Sequence, residues 1–272
     1  MFNNLGYKKN LFILPFDHRN SFEKEFKKEN ISAFKNIVYE AFKKAVSKNV
    51  SKETAAILVD EEYGDKIIRD AINQDYNVIL TTEKSGQEEF TFEYGDEFGK
   101  HIEKYKPTFA KALIRYKSNA DWSKLKLLAD YCRKNNYKFL LEVLLNFPIN
   151  TSQKAREAIY ELHRSGVEPD VWKLEGMESQ NAYQEVVAKI QEGERSDVGL
   201  VILGRGENEE TVNKWITDGA RVKGVIGFAI GRTIFLDPLR MFRDGKITKE
   251  QTIEMISNKF IYFYNLFTLH TL

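Results

Sequence analysis

Short apolar runs alternate along this chain with segments of helical period. The runs are LFILPF (11–16), AAILVD (55–60), NVILTT (77–82), TFAKALI (108–114), KFLLEVLL (138–145), DVWKLEG (170–176), VGLVILGRG (198–206) and KGVIGFAIG (223–231). Most are six to nine residues long and rich in Ile, Leu and Val, which suits strands buried on both faces, as a parallel sheet requires. Between them, residues 33–47 put Phe34, Ile37, Val38, Ala41, Phe42, Ala45 and Val46 on one side of a helix and polar residues opposite. Residues 121–136 read the same way, with Asp121 placed to cap the helix. Thr151 and Ser152 open another that runs to Leu162, with Gly166 after its end, and similar helices fit 179–192 and 208–220.

Eight strand candidates are present, and after the second they recur every 22 to 32 residues. That is the period of a βα unit, and eight units close a barrel. The pattern therefore predicts a single-domain (β/α)8 TIM barrel spanning residues 1–272. An open doubly wound sheet is the rival, but no G-x-G-x-x-G fingerprint follows the first run, which ends in Pro15-Phe16-Asp17-His18-Arg19. Residues 248–272 form a C-terminal helix with Ile253, Ile256, Phe260, Phe263 and Phe267 at helical spacing, and Met255, Ile261, Tyr264 and Leu266 beside them. A helix this apolar is expected either to close the outer ring or to pack on a second copy in a homo-oligomer.

Composition narrows the function classes. With 42% hydrophobic and 13% aromatic residues the chain can bury a sizeable core. The 41 basic residues are balanced by 40 acidic ones, for a net charge of +1. That argues against a surface built for nucleic acid, which needs an excess of Lys and Arg to neutralise phosphates. Cys132 is the only cysteine, so neither an intramolecular disulfide nor a cysteine-built metal centre can form. The opening MFNNLGYKKN lacks the apolar run of a signal peptide, and no membrane-length apolar stretch is present. The expectation is a cytoplasmic protein with no membrane partner.

In such a barrel the carboxyl ends of the strands surround the active site. Asp17, Asp60 and Lys84 follow the first three strands; Lys111, Glu142 and Lys173 interrupt strands four, five and six; Gly204-Arg205 and Gly231-Arg232 end strands seven and eight. One charge in a buried strand is ordinarily a satisfied ion pair. Three on successive strands point instead to a site, because ion pairs kept only for stability seldom outperform an apolar core of equal volume. A buried lysine near other cations is expected to lose its proton more readily, and the free amine attacks ketones. The iminium so formed weakens the neighbouring carbon–carbon bond. Glu142, one strand before Lys173, suits the proton transfers, and Asp17 suits removal of a hydroxyl proton. The glycine–arginine pairs suit an anion, since glycine admits backbone N–H groups and arginine adds a fork.

Two other readings compete. A sugar-phosphate-binding barrel without catalysis needs no such lysine, and a metal-dependent lyase would use Asp17, Asp60, Glu61 and Glu62. His18, His101, His163 and His270 are scattered without ligand spacing. Lys84-Ser85-Gly86 lacks the upstream glycine of a P-loop and reads as a substrate-facing loop. The polar stretch from Ser85 to Asp96 reads as a lid or an ordinary connection, and the lysines of 24–28 and 43–48 as solvated helix faces.

The phrases LPFDHRNSF, VDEEYG, EKSGQEEFTFEYG, FAKALIRY, LLEVL, VWKLEG, VILGRG and GFAIGRTIF together resemble the 2-deoxy-5-keto-gluconate 6-phosphate aldolase domain of inositol catabolism, from about Leu11 to Pro238. The resemblance implies a class I aldolase barrel, a lyase without cofactor or metal, related to the tagatose bisphosphate and fructose bisphosphate enzymes. It implies cleavage of a phosphorylated keto sugar acid to dihydroxyacetone phosphate and malonate semialdehyde. Lys173 would be the Schiff-base lysine and Glu142 the acid/base, with Asp17 and Lys111 assisting. Gly204, Gly231, Arg232 and Arg205 would sit at the phosphate, and Lys84 would face the pocket. That domain often stands behind a sugar kinase, of which these 272 residues hold no counterpart, so another phosphorylated ketose remains an alternative substrate.

Overall fold

Each of the eight apolar runs becomes a parallel strand, and the strands pair in chain order until the last meets the first. They are β1 (Leu11–Pro15), β2 (Ala55–Val59), β3 (Asn77–Thr81), β4 (Phe109–Arg115), β5 (Lys138–Leu144), β6 (Val171–Glu175), β7 (Gly199–Leu203) and β8 (Val225–Ala229). The computed structural model describes residues 5–145 and 151–271. The expected (β/α)8 TIM barrel is the observed fold.

The helices around it are α1 (Asn20–Glu25), α2 (Ile31–Lys48), α3 (Glu61–Asn73), α4 (Phe98–Tyr105), α5 (Ser123–Lys134), α6 (Thr151–Arg164), α7 (Gln180–Ile190), α8 (Glu209–Ala220), α9 (Arg232–Arg243) and α10 (Lys249–His270). The six helices read from apolar spacing are α2, α5, α6, α7, α8 and α10. Asp121 does not occupy the cap of α5, where Trp122 stands; its carboxylate accepts the Ser123 N–H instead. The other four helices were not read from the sequence, although α3, α4 and α9 each bury an apolar face. Of these, α3 begins within the acidic run Asp60-Glu61-Glu62, where Asp60 accepts the Tyr63 N–H as a cap. Similarly, α9 starts at Arg232, within what read as a turn.

Side chains divide between two cores because successive strand residues point to opposite faces. Leu11, Ile13, Ala56, Leu58, Ile79, Phe109, Leu140, Val171, Val201 and Ala229 fill the barrel interior, with Tyr7 against its floor. Apolar strand residues at the alternate positions, such as Phe12, Leu14, Ile57, Leu141 and Phe228, meet the helices in a larger outer core. Gly227 shows how tightly the β8–β1 seam closes. Its φ is +155°, and a Cβ there would stand 2.0 Å from the Leu11 carbonyl oxygen.

The C-terminal helix closes the ring of its own chain. Thr248 caps α10 in a capping box with Gln251, and the helix packs between α8 and α2. Phe12 of β1 meets Tyr264 and Phe267 at ring distances of 4.9 and 5.3 Å, and Phe228 of β8 meets Phe260. Since α10 covers β8 and β1, α9 is an additional helix inserted after the last strand. No helix of the described residues is long and apolar enough to cross a membrane.

Phe260 is fully buried against Phe42 and Phe228, so Phe260→Ala should cost about 3–5 kcal/mol through lost burial and a residual cavity. Leu269→Ala, on the solvent side of the same helix, should stay within about 0.5 kcal/mol. Urea unfolding of both variants measures the contrast; equal losses would mean that α10 is not seated as described.

Candidate active site

The period of two carries the inward face upward from apolar to charged. Lys111 follows Phe109 on β4, Glu142 follows Leu140 on β5, and Lys173 follows Val171 on β6. All three are buried. Glu142 and Lys173 are direct partners in the β5–β6 register, and the Lys173 Nζ donates to Glu142 Oε2 at 2.8 Å. The Lys111 Nζ lies 3.0 Å from the same oxygen, 3.0 Å from Asp17 Oδ2 and 2.6 Å from Glu83 Oε1. Sharing one carboxylate oxygen brings the two lysine nitrogens within about 6 Å of each other.

Two cations among three carboxylates make the groups titrate unlike their free forms. Burial pushes the Asp17 carboxyl up, but Lys111, His18 and Lys173 outweigh it and hold Asp17 well below the usual carboxylate range. Burial likewise opposes ionisation of Glu142, and Lys111 and Lys173 reverse it to a net lowering. Glu83 goes the other way. Burial raises it, the Lys111 charge compensates only in part, and Asp17 adds repulsion. Burial works against the Lys111 ammonium, yet Asp17, Glu142 and Glu83 together raise it well above the usual lysine range. Lys111 is therefore the fixed cation of the cluster.

The cluster forms the foot of a cavity of about 560 Å³ at the carboxyl ends of the strands, where Asp17, Lys84, Lys111, Glu142, Lys173, Arg205, Gly231 and Arg232 all appear in the wall. Gly204 does not. Its N–H donates to the Ala229 carbonyl in the β7–β8 ladder, and the wall after β7 is made by Arg205 and Gly206 instead. Arg205, two residues past β7, has a left-handed backbone, φ +52°, and its guanidinium pairs with the buried Glu175 of β6. Arg232 is the first residue of α9 and donates to the Arg205 carbonyl. Gly231 before it must lack a side chain, because a Cβ would lie 2.4 Å from the Pro15 carbonyl oxygen. Helix N-terminus, Arg232 and Gly206 thus meet at one corner. Such a corner is chemically suited to an anion, since the first N–H groups of a helix have no partners within it and carry its positive end.

Sequence reasoning missed several wall residues. Glu83, the third carboxylate on Lys111, stood one position before the lysine that attracted attention. Arg19 was assigned no role from the sequence, yet it is 6% exposed and donates to the Glu83 carbonyl and to Glu93 Oε2, both at 2.6 Å. It pins the loop after β3, which folds back as a hairpin through the Glu83–Phe92 bridge. Ser85, Gly86 and Gln87 of that loop line the cavity, as does Lys24, read earlier as part of a solvated face. His18 lines it too, wedged near Phe22 and Phe235. A period-two signal through Thr81 to Glu83 was available; no local pattern marked Arg19 or His18.

The acidic run after β2 disperses among separate partners. Asp60 forms a buried ion pair with Lys35 of α2, whereas Glu61 pairs with His101 and Lys104 of α4. No group of three or more His, Cys, Asp or Glu side chains that could hold a metal occurs among the described residues.

Residues 4–270 match the family described as "Uncharacterized protein conserved in bacteria (DUF2090)". The chain belongs to that family. No curated protein matches it. Among solved structures it is similar to a fructose-bisphosphate aldolase from Plasmodium falciparum, with TM-score 0.73 and 14% identity over 97% of this chain and 92% of that one. It is also similar to Cgl0159 of Corynebacterium glutamicum, with TM-score 0.64 and 15% identity over 94% and 86%. The YdjI aldolase of Escherichia coli K12 gives TM-score 0.60 and 9% identity over 97% and 93%. At such identities the likeness is one of fold.

Removing the fixed cation should be costly. Lys111→Ala leaves Asp17, Glu83 and Glu142 buried without their shared partner, for an expected loss of about 3–5 kcal/mol in urea unfolding at neutral pH; a loss below about 1 kcal/mol would contradict the network. A pH dependence follows from His163, which burial and then the Arg195 charge push down to about 4 from 6.5. The unfolded chain binds this proton between those values and the native chain does not, so stability falls as pH drops from 6.5 to 4. In His163→Leu that fall should be shallower by up to about 1.4 kcal/mol per pH unit, as read from urea titrations across the range.

Proposed function

We propose that this protein is a class I, Schiff-base aldolase acting on a phosphorylated ketose, with Lys173 as the nucleophile. The observation that carries the reading is the Lys173 amine at the foot of the cavity, buried and 2.8 Å from Glu142. The Lys173 nitrogen, once its proton has passed on, adds to the ketone carbon. Water then leaves and an iminium forms. The adjacent carbon–carbon bond breaks with its electron pair drawn toward the iminium, while the β-hydroxyl gives up its proton and its carbon departs as an aldehyde. The remaining enamine is protonated at carbon, and water releases the second product and the free amine.

The neighbours suit these steps. Glu142 shares a hydrogen bond with the amine and is placed to give and take the protons of iminium formation. Asp17, kept ionised by Lys111, is fit to accept the hydroxyl proton. Lys111 stays charged and polarises the oxygens that develop negative charge. Gly231 and Arg232 at the start of α9, with Gly206 and Arg205, supply an anion corner for the phosphate. This is where barrels of the type often hold one, after strands seven and eight.

The resemblance of motifs makes 2-deoxy-5-keto-gluconate 6-phosphate the substrate proposed, with dihydroxyacetone phosphate and malonate semialdehyde as products. The likeness in fold to proteins titled aldolases supports the general class only by analogy. Borohydride reduction in the presence of dihydroxyacetone phosphate should attach a stable adduct to Lys173, located by peptide mass spectrometry. Lys173→Ala should lose both label and turnover, and Glu142→Gln should lower kcat by about 10²–10⁴-fold. A label on a different lysine, or none with several phosphorylated ketoses, would sink the proposal.

A further inference from the structure

We infer that Arg115, with Lys84 from the neighbouring strand's exit, holds a second anionic end of the substrate, a carboxylate, across the cavity from the phosphate corner. The inference rests on the aldolase reading and names which substrates that site prefers. Arg115 ends β4, on the inward face two residues beyond Leu113 and four beyond Lys111. Lys84 lies just past β3, and both line the cavity. In a closed ring of eight strands, β3 and β4 stand opposite β7 and β8, which carry the phosphate corner.

The wall's cations differ in their partners. Lys111, Lys173, Arg19 and Arg205 each have a carboxylate partner. Arg232 is held by the Arg205 carbonyl, and among the described residues the side chains of Arg115, Lys84 and the exposed Lys24 of α1 have neither a hydrogen bond nor an ion pair. Lys84 is exposed and bears little cost for that, but Arg115 is only partly exposed, and a half-buried cation without a counter-charge is unfavourable until a ligand supplies one. The chemistry of the corner selects the kind of anion. After β4 the next helix begins only at Ser123, and after β3 the chain turns into the hairpin of Glu83 and Phe92. The helix that starts beside this loop, α1 at Asn20 against Gly86, is only 6 residues long, unlike the 12-residue α9 opposite. The corner offers a planar guanidinium fork and an ammonium, which match a carboxylate.

A ketose phosphate bound by both ends would span the lysine at β6, with the bond to be broken lying between the anchors. The far anchor would stay with the aldehyde product. The site would therefore prefer sugar acids over neutral-ended sugars.

The test uses the full chain in the condensation direction, with dihydroxyacetone phosphate and three aldehydes: malonate semialdehyde, propanal and glyceraldehyde 3-phosphate. Malonate semialdehyde should exceed propanal in kcat/KM by about 10- to 100-fold, the range for a hydrogen bond between charged groups. Arg115→Ala should erase that preference mainly through KM for the aldehyde. It should leave propanal, the KM for dihydroxyacetone phosphate and borohydride labelling of Lys173 as in the wild type. Arg115→Lys should recover part of the preference. Labelling of Lys173 in the variant verifies that it is folded. Label without any carboxylate preference, or a stronger preference for glyceraldehyde 3-phosphate, overturns this inference alone. Absence of label in the wild type overturns the aldolase reading and this inference with it.

Discussion

Lys111 is the interaction on which the upper barrel depends. Three carboxylates from β1, the end of β3 and β5 converge on one buried ammonium, and each would be untenable there without it. Lys111, Glu142 and Lys173 stand within their strands, whereas Asp17 and Glu83 lie just past the ends of β1 and β3. The polar layer is therefore a stability concession, tolerated because the apolar layers below it, from Leu11 to Ala229, are completely packed. Closure of the ring matters equally, since it alone brings β1 within reach of β4.

This shared cation also divides the labour of the site. It holds Asp17 and Glu142 ionised, and they with Glu83 raise its own proton affinity well above that of an ordinary lysine. Lys173 shares only Glu142 with it, so of the two cluster lysines the one with a single carboxylate partner is that on β6. A strongly paired cation for charge and a less encumbered amine for bond making are different tasks. The two positions are distinguished by the number of carboxylates that reach them, not by residue type.

The loops refine what the strands begin. Arg19 ties the segment after β1 to the hairpin after β3, fixing the Glu83 carbonyl and so the carboxylate that meets Lys111. The extra helix α9 brings its positive end to the mouth, and Gly231 permits the close approach to Pro15 that sets its direction. Covering β8 and β1 then falls to α10.

Periodicity determined the eight strands, six of the helices and the inward row of Lys111, Glu142 and Lys173, because alternation and helical spacing are local properties written into consecutive residues. Glu83 was within reach of the same argument, two positions beyond Thr81. What the chain could not reveal locally was pairing. Arg19 clamping Glu93, Arg205 with Glu175, the replacement of Gly204 by Gly206 in the wall and the dispersal of Asp60 and Glu61 to Lys35 and His101 all join residues distant in the sequence. Such contacts exist only once the ring has closed, and an acidic run or a glycine–arginine pair looks the same before closure whichever partner it will meet.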